Sequence, residues 1–220
     1  MLFEQEPPKD WTKSLAPLFK KYDGRKHPLN HANKYQLVVA VILSARSSDA
    51  LINKIAPAFF KVFPSMKELS RAKPETLFPY LREVMNFENK ANWLIAIAKT
   101  VKEDSNIPST LEELVKLPGI GRKSANVIIG ESGGKAEGVI VDLHVIRVAP
   151  RIGIAKSSRP EKIEQEIMAA VSQEYWHVAG MSMTFLGREI CRPTNPHCPE
   201  CVVNKVCEYY KQTQGIKGAK

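Results

Sequence analysis

The chain has 220 residues, of which 44% are hydrophobic, enough for one large or two small domains with a packed core. Its 32 Lys and Arg residues against 23 Asp and Glu give a net charge of +9, which favours a nucleic-acid partner but is weak evidence alone. The longest apolar run, Leu37–Leu43, is too short to cross a bilayer, and the acidic start Met1–Asp10 is neither a secretory signal nor a transit peptide. We therefore predict a cytoplasmic protein without a membrane span.

Helix signals dominate the chain, and the alternating pattern of strands is scarce. Possible capping boxes begin at Ser65, Ser109 and Ser158, and Pro74 suits the first turn of a helix. The apolar periodicity predicts helices at Trp11–Tyr22, Tyr35–Ala45, about 49–63, Ala91–Val101 and Trp176–Glu189. The sequence therefore predicts an all-α fold.

Residues 117–123 combine a glycine-containing turn with the start of a helix. Gly119 and Gly121 can adopt positive φ, and neither has a Cβ that would block a ligand. The first amides of the following helix would point outward, where a phosphate binds well. Lys123 lies beside this position, so the stretch predicts a phosphate-binding turn next to a potentially nucleophilic amine. An ordinary helix-turn-helix with a solvated lysine fits the stretch equally well.

Asp142 follows an apolar run and precedes a helical pattern, which predicts it as a helix N-cap. Capping alone would explain it. The functional alternative is that its carboxylate faces the amine of Lys123, a distance that the sequence does not give. Three glycines in residues 131–138 form a flexible joint and a candidate domain crossing.

All four cysteines lie within seventeen residues, interleaved with three prolines. They are Cys191, Cys198, Cys201 and Cys207. Four thiolates suit tetrahedral zinc or an iron–sulfur cluster. Zinc sites commonly pair two Cys-x2-Cys motifs, whereas only one such pair is present here, so the wider spacings favour the bulkier iron–sulfur cluster.

The turn at 117–125, the segment Val141–His144 about twenty residues later and the cysteine spacing together resemble the endonuclease III family of helix-hairpin-helix (HhH-GPD) DNA glycosylases. The resemblance covers about residues 30–210. It implies two helical domains, a helical barrel with the helix-hairpin-helix at 28–134 and an iron–sulfur cluster domain formed by 1–27 and 135–220, with a DNA-binding groove between them. The cysteine spacing is its most specific part, and it implies that the four cysteines hold a [4Fe–4S] cluster.

The resemblance also implies a reaction, base excision repair on a base flipped out of the duplex. Lys123 matches the family's nucleophile, which attacks the sugar C1′ and forms a Schiff base before elimination cuts the strand. Asp142 matches the essential aspartate, which would stabilise positive charge on the sugar. The hairpin would bind the phosphate backbone, in some members with a monovalent cation, through Leu117, Pro118, Gly119, Ile120, Gly121 and Arg122. The implied partner is double-stranded DNA that contains damaged bases or abasic sites, bound by a nucleoid-associated monomer.

Two loops and one further position depart from the family pattern. Arg46 stands where the family has a glutamine that fills the gap left by the flipped nucleotide; arginine can donate to the orphan base, preferring guanine, or turn to a phosphate. Met85, Asn86 and Phe87 align with the family's Ile-Gly-Leu wedge loop, where Phe87 could stack between bases or simply pack in the core. Leu143 replaces a residue that is often small or polar. Cations expected to contact the DNA backbone are Lys90, Arg122, Arg147, Arg188 and Lys205.

The leading hypothesis is a glycosylase and abasic-site lyase for oxidised pyrimidines. Arg46 and Phe87 leave open a glycosylase of the same fold that acts on mismatched uracil or thymine or on alkylated bases. The alternative outside enzymes is a lesion-binding protein with weak or no catalysis.

Overall fold

The computed structural model describes the backbone of residues 10–217 and the side chains of residues 10–213. All regular elements in this part of the chain are helical, so the prediction of an all-α fold is confirmed. The acidic start of the chain before Asp10 lies outside the described residues. Within them no helix is both long and apolar enough to cross a membrane. The helices are α1 Trp11–Lys21, α2 Lys34–Ser44, α3 Asp49–Val62, α4 Met66–Arg71, α5 Pro74–Leu81, α6 Phe87–Val101, α7 Leu111–Leu114, α8 Arg122–Glu131, α9 Leu143–Ile152, α10 Pro160–Ala170, α11 Trp176–Glu189 and α12 Glu208–Lys217.

The chain divides into two compact units. One comprises residues 26–135 and contains α2 to α8; the other comprises the described residues up to Arg25 and from Ala136, and contains α1 and α9 to α12.

The unit of residues 26–135 is built around α2. Its residues Leu37–Leu43 are all buried, because the helix packs against α3, α6 and α8. Asn33 caps its start by accepting the amide of Gln36, and Ser48 caps α3 by accepting the amide of Leu51. α6 begins at Phe87, four residues earlier than the apolar stripe indicates.

In the other unit, α9 and α11 pack against each other. The approach is close because α11 carries glycine at the contact: a Cβ on Gly187 would lie 2.6 Å from the Cβ of His144. α11 therefore lies beside the start of α9, which Asp142 caps, and leads directly into the segment that begins at Cys191.

Two of the predicted capping boxes are wrong in register. α7 is capped by Thr110 rather than Ser109, with Glu113 as the partner. α10 has Arg159 at its N-cap position without a side-chain hydrogen bond, and Pro160 occupies its first turn instead. At Ser65 the N-cap is confirmed, since this serine accepts the amide of Lys67, and its hydroxyl donates to the carboxylate of Glu68.

Candidate functional site

The turn between α7 and α8 is fixed by two buried side chains and one glycine. Leu117 and Ile120 are buried, and the amide of Ile120 donates to the carbonyl of Leu117 at 3.2 Å. Gly119 has φ +78°, and a Cβ at this residue would lie 2.6 Å from the ring of Trp93. Any other residue at this position would be strained by the backbone angle and would collide with the indole.

Gly121 differs from Gly119 because its backbone is extended, with φ −89° and ψ 174°, so the positive φ expected for it is not used. It is the N-cap residue of α8 and offers no side chain to the first-turn amides. A Cβ there would meet open space. Pro118 is half-buried, whereas Arg122 is exposed at the first position of the helix. A helix start without a side-chain cap and with cations beside it suits a phosphate group.

Lys123 is the second residue of α8, and its side chain is exposed. Its charge acts on His27, whose pKa is lowered mainly by burial, with smaller contributions from the charges of His31 and Lys123. The charges of Glu131 and Asp49 oppose this shift. The neutral form of His27 is therefore favoured at pH 7, and its Nδ1 accepts the amide of Leu29 at 3.1 Å.

Asp142 is half-buried and caps α9, as the sequence predicts. Its Oδ1 accepts the amides of His144 and Val145 at 2.8 and 2.9 Å. The cap thus occupies one carboxylate oxygen and fixes the orientation of the second. Burial lowers the pKa of the adjacent His144, and the charges of Arg188 and Arg147 lower it further, so this imidazole is neutral at pH 7. Leu143, between the two, is 81% exposed.

Residues Ser44–Ser47 form a type II turn. The amide of Ser47 donates to the carbonyl of Ser44 at 2.9 Å, Ala45 has φ −56° and ψ 114°, and Arg46 has φ +60°. Glycine or asparagine occupies the third position of such a turn at lower cost than arginine does. The side chain of Arg46 is exposed, so the direction in which it leaves the chain depends on this turn.

Lys90 is not a surface cation, and the prediction that it contacts the DNA backbone is wrong. The residue is 2% exposed, and its Nζ donates to the carbonyls of Leu43 and Ala45 at 2.8 and 2.5 Å. Burial and, secondly, the charge of Arg46 lower its pKa to about 8. Sequence alone did not reveal this, because a lysine on α6 beside a loop predicted to bind DNA looks solvated until the helices that enclose it are known.

The wedge loop contacts the Arg46 turn. The amide of Met85 donates to the hydroxyl of Ser47 at 3.3 Å, and Met85 itself is 54% exposed. Asn86 has φ +59°, the left-handed conformation that glycine would adopt more easily. Phe87 is half-buried and its ring packs edge-on against Phe78 at 5.2 Å. The geometry therefore favours Met85 at the loop tip, and the packing alternative for Phe87.

The four cysteines line one cavity at the end of α11, and none of them forms a disulfide with another. Burial raises the pKa of the Cys201 thiol to about 11 and raises that of Cys207 as well, and the nearby thiols add to both shifts. These two thiols would therefore ionise at pH 7 only with a positively charged partner among them. No three His, Cys, Asp or Glu residues in the described part of the chain are placed to hold a single metal ion.

Two arginines of α9 hold the segment that begins at Cys191. Arg147 donates to the carbonyls of Cys191 and Gly187 at 2.9 Å each, so it is committed to the protein rather than freely exposed to DNA. Arg151, which the sequence analysis did not single out, donates to the Sγ of Cys191 at 3.5 Å and to the carbonyl of Arg192 at 2.7 Å. The sequence signal that could have identified Arg151 is its spacing of four residues from Arg147, which places both side chains on one face of α9. The other two predicted backbone contacts, Arg188 and Lys205, are exposed.

Comparisons with known proteins agree on one family. The profile of the HhH-GPD superfamily of base excision DNA repair proteins matches residues 39–173. Endonuclease III of Thermotoga maritima is 34% identical over 192 residues, which is 86% of this chain and 90% of that protein. Endonuclease III of a Synechocystis species is 35% identical over 198 residues, which is 89% of this chain and 90% of that protein.

Among solved structures, a trapped covalent intermediate of endonuclease III with DNA, an estranged-adenine complex, matches with a TM-score of 0.83 and 29% identity. The match covers 96% of this chain and all of that one. A thermostable thymine-DNA glycosylase, with a TM-score of 0.77 and 21% identity, and the 3-methyladenine DNA glycosylase of H. pylori, with a TM-score of 0.58 and 15% identity, share the fold at lower identity.

Proposed function

The chain belongs to the endonuclease III family of HhH-GPD base excision repair enzymes, DNA glycosylases with abasic-site lyase activity, and from this premise we propose that it removes oxidised pyrimidines through a Schiff base on Lys123. The observation that carries the proposal is the position of Lys123, exposed in the first turn of a helix that has no side-chain cap. The trapped covalent intermediate of a similar endonuclease III with DNA supports a covalent step.

The reaction follows from these groups. The nitrogen of Lys123 attacks the sugar C1′ through its lone pair as the bond from C1′ to the damaged base breaks, and the base leaves with a proton. Loss of the ring oxygen from C1′ then gives an imine between Lys123 and the opened sugar. The imine acidifies the C2′ proton, and its removal expels the 3′ phosphate and cuts the strand.

Asp142 supplies negative charge for the sugar as positive charge develops at C1′. Its cap to the amides of His144 and Val145 fixes the carboxylate, so no reorganisation of that group is needed during reaction. The hairpin from Leu117 to Gly121, with Arg122, holds the DNA backbone. Among the described residues nothing adds support for the monovalent cation that the resemblance allows there.

Arg46 and Met85 are the residues that we propose enter the duplex. Both are exposed, and their loops are joined by the bond from the Met85 amide to Ser47. Arg46 would donate to the orphan base, and Met85 would act as the apolar wedge between base steps.

Cys191, Cys198, Cys201 and Cys207 are proposed to hold a [4Fe–4S] cluster. The donor set fits, since four thiols line one cavity. When bound, the cluster supplies iron–thiolate bonds that fix the residues 191–207. The cut itself needs no electron, so the cluster has a structural role in this proposal. Arg151 helps to hold the same segment by donating to the Sγ of Cys191.

The proposed partner is double-stranded DNA with oxidised pyrimidines or abasic sites. We propose that the protein binds it as a monomer and is cytoplasmic, associated with the nucleoid. The net charge of +9 supports binding that weakens as salt rises. The relatives favour this function over a mismatch or alkylation glycosylase and over a binding protein without catalysis.

A panel of duplexes tests the proposal, each with one oxidised pyrimidine, mismatched uracil or thymine, alkylated base or abasic site. Base release and strand cutting are measured separately. We expect release of oxidised pyrimidines and cutting of abasic DNA; release of mismatched or alkylated bases alone, without cutting, would contradict it.

The same preparation should be brown, with iron and sulfide in equal amounts, and a colourless zinc protein would contradict the cluster.

A further inference from the structure

Lys90 places a buried ammonium against backbone rather than against a carboxylate. Its Nζ donates to the carbonyl of Leu43, in the last turn of α2, and to the carbonyl of Ala45 just beyond it. Carbonyls at a helix C-terminus carry partial negative charge and lack partners within the helix, so a cation there is favourable. Lys90 is 2% exposed; its bond to the Leu43 carbonyl is buried, and its bond to the Ala45 carbonyl is partly buried.

The Ala45 carbonyl decides which turn Ser44–Ser47 adopts. Type I and type II turns share the hydrogen bond between their end residues and differ in the orientation of the central peptide, here between Ala45 and Arg46. In a type I turn Arg46 would have a negative φ at no steric cost, so the local sequence alone favours type I. The turn is nevertheless type II, with Arg46 at φ +60°. A flip of the central peptide would take the Ala45 carbonyl away from Nζ and leave the buried ammonium with only one of its two carbonyl partners, that of Leu43.

The same residue joins the turn to the wedge loop. The backbone amide of Lys90 donates to the carbonyl of Asn86 at 3.2 Å, in the first turn of α6. The Met85 amide in turn donates to Ser47 at 3.3 Å. Arg46, Met85 and Asn86 line one cleft, so a rotation of the turn would change both sides of it.

We propose that Lys90 is a positioning residue that locks the Ser44–Ser47 turn in its type II form and thereby sets the direction in which Arg46 enters the DNA. The inference rests on the proposed function, because only an enzyme that flips a nucleotide needs Arg46 to fill the gap. Lys90 itself touches no DNA. Its effect reaches the base opposite the lesion through Arg46.

The turn is tested first without DNA. In a type II turn the Hα of Ala45 lies close to the amide proton of Arg46, whereas in a type I turn the amide protons of Ala45 and Arg46 are the close pair. We expect wild type to show the first contact in NMR spectra of the full chain and Lys90→Met to show the second. Lys99→Met, on the exposed side of the same helix, should match wild type. If Lys90→Met does not fold, Lys90→Gln, whose side chain is too short to reach the Ala45 carbonyl, replaces it. Persistence of the wild-type contact in a folded variant would overturn the lock.

Binding then tests the consequence, with duplexes that carry a tetrahydrofuran abasic analogue opposite each of the four bases. Lys90→Met should weaken binding to the preferred duplex about tenfold and flatten the preference among opposite bases. In an Arg46→Ala background it should add no further loss, since Lys90 acts through Arg46. An equal loss in both backgrounds would overturn the inference. Failure of wild type to cut abasic DNA would instead overturn the proposed function and leave the NMR result standing.

Discussion

The hairpin turn at 117–121 and the turn at 44–47 both contain a residue with positive φ, but they accommodate it differently. The hairpin uses Gly119, which has no Cβ to clash with the backbone or with Trp93. The other turn uses Arg46, and the carbonyl before it is held by the buried ammonium of Lys90. The first turn is specified by its own sequence, whereas the second depends on a helix more than forty residues away. Because the turn at 44–47 does not depend on glycine at position 46, different side chains can occupy that position, which suits the loop proposed to contact the orphan base.

The largest effect should come from removing the amine beside the hairpin. Lys123→Gln should reduce borohydride trapping on abasic DNA and strand cutting by at least about a thousandfold, because no Schiff base can form. Binding to the tetrahydrofuran duplex should change by no more than about twofold. Arg46→Gly, at the other turn, should still be trapped, and so should Lys99→Gln as a control. A covalent adduct that survives in Lys123→Gln would show that another amine is the nucleophile.

The glycine that shapes the hairpin should be the most sensitive backbone position of the two turns. Gly119→Ala should lower the free energy of unfolding by about 2–4 kcal/mol, from the positive φ and the contact with Trp93. Gly121→Ala meets open space at an extended residue and should cost about 1 kcal/mol or less. Urea unfolding of both variants measures the difference. Equal costs would mean that Trp93 moves aside and that the hairpin does not depend on Gly119.

The lock on the second turn should show as a pH dependence of stability. The pKa of Lys90 is about 8 in the folded protein, below the ordinary 10.5. Below pH 8 the amine is charged in both folded and unfolded chains, and the cost of burying the charge is constant. Between pH 8 and 10.5 the folded amine is neutral while the unfolded one still binds a proton, so raising the pH stabilises the fold.

The free energy of unfolding of wild type minus that of Lys90→Met should therefore rise across this window, by on the order of 1–3 kcal/mol. Subtracting the variant removes the contributions of Tyr22 and Tyr35, whose raised pKa values act above pH 10. Chemical denaturation at a series of pH values gives the difference. A difference that does not change with pH would mean that the amine is charged throughout, without the burial cost.

The smallest effect should be the relief of strain at Arg46. Arg46→Gly should leave the free energy of unfolding unchanged or raise it, by up to about 1 kcal/mol, because glycine adopts φ +60° freely. Lys99→Gly, inside α6, should instead lower it by about 1 kcal/mol. Thermal unfolding of the two variants makes the comparison. A loss at Arg46 as large as that at Lys99 would show that the positive φ is not a source of strain.

Much of the fold and part of the site could be predicted because their signals are local. The boundaries of α1, α2, α3 and α11 follow from apolar periodicity and caps within one turn of the chain, and so does the cap by Asp142. α6 begins earlier than predicted because the half-buried Phe87 packs against Phe78, a contact that its neighbours in sequence do not indicate. The register of α7 was missed for a different reason, since Ser109 and Thr110 are equally good caps.

The sequence by itself determined the helical class, the hairpin with Lys123, the N-cap at Asp142 and the spacing of the four cysteines. Each of these depends on residues close together in the chain. Only the tertiary structure decided the roles of Lys90 and Arg147. Their partners lie more than forty residues away, and long cationic side chains look alike in sequence whether they are solvated or buried. What encloses an amine, rather than the amine itself, determines whether it is a reactive group at the surface or a clamp inside the protein.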